Sequence, residues 1–428
     1  MSLIISDFGL LTLVFLVVAY VTSIQVFRLG AMSLPATLIM TLMIYYYLMP
    51  VLSFPDGRAE FLGLYIYSLD WPHLAVGLYA VGAILACFMS RPSLSINPAL
   101  RWPGDRPLSG RMLLALAVAA LAATAAQIAL GKLNIQSSEV YQWTDTDSVG
   151  DLAFINLFFT MMVPLSIVYL VRDNFGPKSL AVLVAVCFVL LMTGFRYRLV
   201  FMAFSVTATF LLMREIKVRT AFVLAGTLVA LLGSNVIGNT RKYGAGVDLG
   251  KIQDLTPIEI LQSFGGEVGP LFSFSYVANN PIQQNILADP WVIAIARLVP
   301  SFLWKDKPTP DYLYIPLAGF PIDAKVAGVA VPQQVEMLLQ FGWLGLPVLA
   351  FLYFRMAILL LDRLSRLGRE ARIASFALVP VFFGFYMPTR GYFFQVLADG
   401  LFTFGPLFLM HLFTRRPHSL PAFRRRAA

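Results

Sequence analysis

The chain has 428 residues, of which 58% are hydrophobic and only 13% charged, whereas a soluble domain carries about 25% charged residues. That composition excludes a water-soluble globular protein. The net charge of +9 does not point to nucleic acid, because the basic residues sit in short connections beside apolar runs, where the positive-inside tendency alone places them.

Apolar runs of roughly 17 to 23 residues recur along the chain, each long enough to cross about 30 Å of hydrocarbon at 1.5 Å per residue. Lipid offers backbone groups no partners, so these runs must be helices. They predict an all-α polytopic membrane protein with about eleven transmembrane helices, near 8–27, 32–53, 71–89, 112–130, 152–171, 178–195, 199–213, 219–238, 341–361, 373–388 and 393–413. The expected organisation is eight spans in 1–238, a long loop with short helices over 239–340, three spans in 341–413 and a basic tail over 414–428. The N-terminus lacks a basic n-region and a small-residue cleavage site, so the first run reads as a retained span. Cys87 and Cys187 fall inside apolar spans with no metal-ligand spacing around them and read as small core residues.

Orientation follows from the arginines and lysines of the short loops. A cytoplasmic C-terminus gathers Arg91, Arg101, Arg106 and Arg111 on the inner side, with Arg172, Lys178, Arg214, Arg363, Arg366, Arg369, Arg372 and the basic tail. The N-terminus and the 239–340 loop are then extracytoplasmic. That loop is too rich in aromatic and apolar residues for a disordered linker. Short helices near 257–265, 268–278 and 290–303, punctuated by prolines, predict a compact helical cap on the outer membrane surface.

Arg196 and Arg198 stand in a tight outward turn, Met192-Thr193-Gly194-Phe195-Arg196-Tyr197-Arg198, between the sixth span and a short seventh. Arg390 stands in a second tight turn, after a short tenth span. Arginine near a helix end can simply snorkel to lipid headgroups. Against that reading, the positive-inside tendency depletes this face of arginine, yet the long loop adds Arg241, Arg297, Lys305 and Lys307. A guanidinium grips phosphate oxygens bidentately, so a pyrophosphate headgroup is the natural guest.

Most acids on that side, including Glu259, Asp311 and Asp323 with Asp399 in the last span, read as solvated or capping residues. Glu336 differs, because Pro332-Gln333-Gln334-Val335-Glu336 leads straight into an apolar helix. Its carboxylate either complements the helix dipole or, if desolvated, serves as a general base. His73, His411 and His418 are scattered, and no triad, Walker loop or metal-ligand spacing stands in context.

Several stretches resemble bacterial oligosaccharide repeat-unit polymerases of the Wzy type. They are Gly194-Phe195-Arg196, Asn239-Thr240-Arg241, the run Arg297 to Pro308 with its Trp304-Lys305-Asp306-Lys307-Pro308 end, Glu336 to Gly345 with its Phe341-Gly342 step, and Thr389-Arg390-Gly391. The resemblance implies an inverting glycosyltransferase of the GT-C type in the bacterial inner membrane, acting on the periplasmic face with no cofactor, nucleotide sugar or obligatory metal. Donor and acceptor would be undecaprenyl-pyrophosphate-linked glycans, and a chain-length regulator is a partner such an enzyme would accommodate. On that reading Glu336 is the catalytic base, and Arg196, Arg198, Arg241, Arg297, Arg390 and Lys307 hold pyrophosphate. Trp291, Trp304, Tyr312 and Tyr314 then stack on sugar rings. The R-x10-G pattern of some members is missing, since Ile252, Pro308 and Leu401 stand eleven residues after Arg241, Arg297 and Arg390. Related O-antigen ligases are expected to use an extracytoplasmic histidine, which favours polymerase over a ligase-like transferase. A lipid-linked oligosaccharide flippase would also bury charges and line a cavity with aromatics. The one-sided cap favours an enzyme.

Overall fold

The computed structural model describes residues 7–53, 60–61, 64–65, 69–103, 105–129, 146–192, 196–216, 226, 241–242, 246–247, 269–279, 289–299, 303–304, 308, 331–391 and 395–414. These residues are helical, apart from their connections and two antiparallel ladders of two-residue strands, Glu60–Phe61 with Leu64–Tyr65 and Arg241–Lys242 with Gly246–Val247. The helices are α1 (Asp7–Val26), α2 (Leu34–Met43), α3 (Met49–Ser53), α4 (Asp70–Met89), α5 (Arg91–Leu94), α6 (Gly110–Ala129), α7 (Thr146–Arg172), α8 (Pro177–Met192) and α9 (Arg196–Met213). They continue with α10 (Gly269–Asn279), α11 (Asp289–Leu298), α12 (Gln333–Ser365), α13 (Arg369–Val381), α14 (Met387–Arg390) and α15 (Gln395–Leu412). Among the described residues, five helical stretches are long and apolar enough to cross a membrane: Phe8–Val26, Leu34–Val51, Asp70–Met89, Gln333–Ser365 and Arg369–Thr389. The chain is thus a helical membrane protein. The expected eighth span apart from Gly226, the 257–265 helix and the basic tail after Thr414 lie outside the described residues.

Two of these stretches contain a π-helical turn, Ile44–Leu48 between α2 and α3 and Phe382–Tyr386 between α13 and α14. A π turn inserts an extra residue and redirects the side chains around it, which is why such turns gather at functional sites. The two turns meet through Tyr45 and Phe385, with ring centroids 6.3 Å apart. The α13 stretch forms the axis of the bundle, with every residue from Ala371 to Phe385 buried. By contrast α1, α6 and α8 expose Leu11, Val18, Leu114 and Val184, as helices facing acyl chains do.

The basic loops converge at one end. Arg372 is wholly buried and grips Asp105 bidentately, with Nη2 to Oδ2 at 2.7 Å and Nη1 to Oδ1 at 3.1 Å. It also donates to the Pro98, Leu100 and Ser365 carbonyls and lies 4.1 Å from the Trp102 ring centroid. Glu370 accepts from the Leu108 amide at 2.8 Å and from Arg172 Nε at 3.2 Å. Arg355, inside α12, donates to Ser90 Oγ. Four connections are tied together in this way, on the end where the sequence gathers its positive charge.

Candidate functional site in a broken helix

Helix α12 begins at Gln333, eight residues before the expected start of the ninth span, and it is not straight. Thirty-three helical residues would run about 50 Å, well past the hydrocarbon thickness. Gly342 interrupts them with φ 65° and ψ −165°, a region essentially reserved for glycine. The side-chain contacts show what the break does. Tyr79 of α4 donates to Gln333 Oε1 at 2.8 Å and also packs edge-on against Phe354, with centroids 6.0 Å apart. Residues 333 and 354 would stand about 30 Å apart on one straight helix. The chain therefore doubles back at Gly342: residues 333–341 form a half-helix beside the full span 343–365.

Depth follows from the same geometry. Trp71, in the first turn of α4, meets Trp343 just after the break, centroids 5.4 Å apart, as tryptophans do at a membrane interface. Tyr79 lies eight residues further along α4, about 12 Å deeper, and the half-helix descends by about the same amount from Gly342 to Gln333. Its N-terminus is therefore sunk near the middle of the bundle, where the first-turn amides and the positive helix end face a low-dielectric interior.

Polar groups surround that end. Gln333, Gln334 and Glu336 are each 0% exposed. Tyr46, from the first π turn, donates to Gln334 Oε1 at 3.5 Å, and Gln340 Nε2 donates to Glu336 Oε1 at 3.2 Å. His73 stacks on Tyr47 at 4.5 Å and places Nε2 3.2 Å from the Tyr46 carbonyl, fixing the backbone of the π turn. Phe274 of α10 closes the wall edge-on to Tyr46, 5.9 Å between centroids. Helix α10 is thus buried against α4 and α12, where the sequence reading laid the loop's helices on the membrane surface.

A second cluster lies beyond the contact between the π turns. Arg198 stands inside the first turn of α9, not in the preceding turn, and it acts electrostatically with Tyr386 and Asp399. The Tyr386 hydroxyl donates to Asp399 Oδ2 at 3.4 Å, and Asp399 is 3% exposed. The expectation of a solvated or capping Asp399 is therefore corrected. It is a buried carboxylate that acts electrostatically on the Arg198 guanidinium.

The remaining expected residues are dispersed. Arg196 opens α9, Arg297 falls in α11, Arg241 lies in a strand and Arg390 ends α14; their side chains lie outside the described set. The α13–α14 stretch runs from Arg369 to Arg390, longer than the short tenth span expected. Trp291 is 55% exposed on α11, and Trp304 is half-buried. Lys307, Tyr312 and Tyr314, like the 193–195 turn, lie outside the described residues. The sequence reading missed Gln333, Gln334, Tyr46, Tyr79, Tyr353 and Tyr386. One signal was available: the Tyr45-Tyr46-Tyr47 run sits inside an apolar span, where each hydroxyl needs a partner.

No family model, curated protein or solved structure matches the chain.

Proposed function

We propose that the chain is an inverting, metal-independent glycosyltransferase of about eleven spans that polymerises undecaprenyl-pyrophosphate-linked oligosaccharide repeat units. In this reading it sits in a bacterial inner membrane with its N-terminus and long loop in the periplasm and its C-terminus in the cytoplasm. The observation that carries it is Glu336, a fully buried carboxylate on a sunken half-helix, in the same Glu336–Gly345 run that carries the resemblance. A carboxylate is costly to bury, so one buried among polar side chains suits proton transfer.

Glu336 takes the proton from an acceptor sugar hydroxyl. That oxygen attacks the anomeric carbon of the donor glycan from the face opposite its phosphate. The carbon–phosphate oxygen bond breaks, and undecaprenyl pyrophosphate leaves with the electron pair. Arg198 neutralises the charge that develops on the leaving group, as fixed cations do for departing phosphates. Asp399 and Tyr386 act electrostatically on that guanidinium.

A lipid-linked oligosaccharide transporter is the second reading, favoured by one observation: transporters build midplane sites from broken helices with sunken N-termini. The experiment that separates the two uses purified protein with a synthetic undecaprenyl-pyrophosphate repeat unit and no nucleotide sugar. Ladders of whole repeats with release of undecaprenyl pyrophosphate support the polymerase. No ladder, but movement of the unit across proteoliposomes, overturns it in favour of transport.

A further inference from the structure

The Gln334 amide is gripped at one end and open at the other. Tyr46 holds its Oε1, while Nε2, sealed from solvent on a residue 0% exposed, meets no acceptor among the described residues. Two amide protons are thereby left in a low-dielectric interior at the positive end of a helix. Native proteins leave few such donors unpaired, and those they leave call for a guest or a role.

The chemistry of the guest follows from the neighbours. An anion is disfavoured, because the Glu336 carboxylate is buried half a turn away on the same half-helix. A cation is disfavoured, because an amide N–H and the helix N-terminus both repel it. A neutral oxygen that accepts hydrogen bonds remains, and the phenols of Tyr46 and Tyr79, bonded to Gln334 and Gln333, stand with the Phe274 ring as the polar-edged aromatic surface that sugars pack against.

We infer that Gln334 is a sugar-binding residue, donating through Nε2 to a hydroxyl oxygen of the glycan. This assignment rests on the polymerase reading only for which sugar occupies the subsite. The Gln334 amide is sealed from solvent in this structure, so the assignment requires the half-helix to move at Gly342, whose backbone lies in a glycine-only region with nothing within 4 Å of its Cβ position.

The test is a binding measurement, independent of turnover. Affinity for undecaprenyl pyrophosphate alone and for undecaprenyl pyrophosphate carrying its repeat-unit glycan is measured in detergent for the wild type, Gln334→Leu and Arg198→Lys. The assignment expects the glycan to tighten binding to the wild type. In Gln334→Leu about tenfold of that glycan increment should disappear, the worth of one hydrogen bond, with affinity for the bare lipid unchanged. Arg198→Lys should weaken binding of both lipids alike. Should Gln334→Leu fail to fold, Gln334→Met, unbranched and close in volume, takes its place. A full glycan increment in the folded variant overturns the assignment, and so does a wild type that binds both lipids equally. A wild type that shows the increment but makes no ladder refutes the polymerase reading while leaving the subsite standing.

Discussion

Replacing Gly342 with alanine tests the break in α12 directly. At an ordinary backbone position this change stabilises a protein by about 0.4–1 kcal/mol, because the unfolded chain loses freedom. At φ 65° and ψ −165° the added Cβ instead forces a conformation that costs about 1–3 kcal/mol. Nothing lies within 4 Å of the new methyl position, so no clash adds to that figure and the whole effect is backbone strain. The two contributions have opposite signs, which makes the direction of the change decisive. Denaturant titration of purified protein in mixed micelles, followed by tryptophan fluorescence, reads it, since Trp343 and Trp71 pack together beside the break. The expected result is a net loss of about 1.3 kcal/mol, the mid-range strain less the mid-range unfolded-state gain. A variant as stable as the wild type, or more so, would mean a continuous helix at 342 and would dismantle the half-helix.

Gly82 tests the packing of α4 on α12 differently: a Cβ there falls onto the backbone carbonyl of Pro347, so Gly82→Ala must push the helices apart, at a cost of about 1–3 kcal/mol in the same titration. Asp105→Ala strips the counter-charge from the fully buried Arg372 and should cost about 3–5 kcal/mol, so a change under 1 kcal/mol would show that the carbonyls alone suffice. Burial by itself would raise the Asp105 carboxyl, but the hydrogen bonds from Arg372 and the Trp102 amide, with the charges of Arg372 and Arg369, hold it below the usual range. Its stabilisation is therefore complete above the unfolded value of about 3.9 and disappears as pH falls through the lower folded value. Asp105→Asn should flatten that acid limb of the stability profile, and an unchanged limb would assign it to other carboxylates. Arg198→Lys keeps the charge but loses the bidentate fork, so long polymer should vanish while folding and single-repeat glycan persist. Normal chain length in that variant would remove Arg198 from the pyrophosphate site.

The helical membrane character was legible because it needs only hydrophobicity and length: α1, α4 and α6 start and stop within a few residues of their apolar runs. The site was less so. Glu336 drew notice because a charge at the edge of an apolar run is conspicuous, but its helix was placed too late. Gln333 to Gln340 was placed in the long loop, and only the third dimension shows it sinking beside Tyr79. Glycine in Phe341-Gly342-Trp343 was equally compatible with a smooth helix, since a positive φ leaves no trace in one sequence. Asp399 was misread for the opposite reason, because its partners, Arg198 and Tyr386, come from other helices and sequence spacing says nothing about them. The tyrosines beside Gln333 and Gln334 were absorbed into the hydrophobic count, which hides the hydroxyl that each must satisfy.

The most direct test of Glu336 as the base is turnover on a synthetic undecaprenyl-pyrophosphate repeat unit by wild type, Glu336→Gln and Glu336→Asp, each shown to be folded. The account predicts that Glu336→Gln, which keeps the shape and loses the proton acceptor, turns over about 10² to 10⁴ times more slowly with lipid binding preserved, and that Glu336→Asp recovers part of the rate. Turnover of Glu336→Gln at the wild-type rate would contradict it, returning Glu336 to the role of a buried partner for Gln340 and the half-helix dipole.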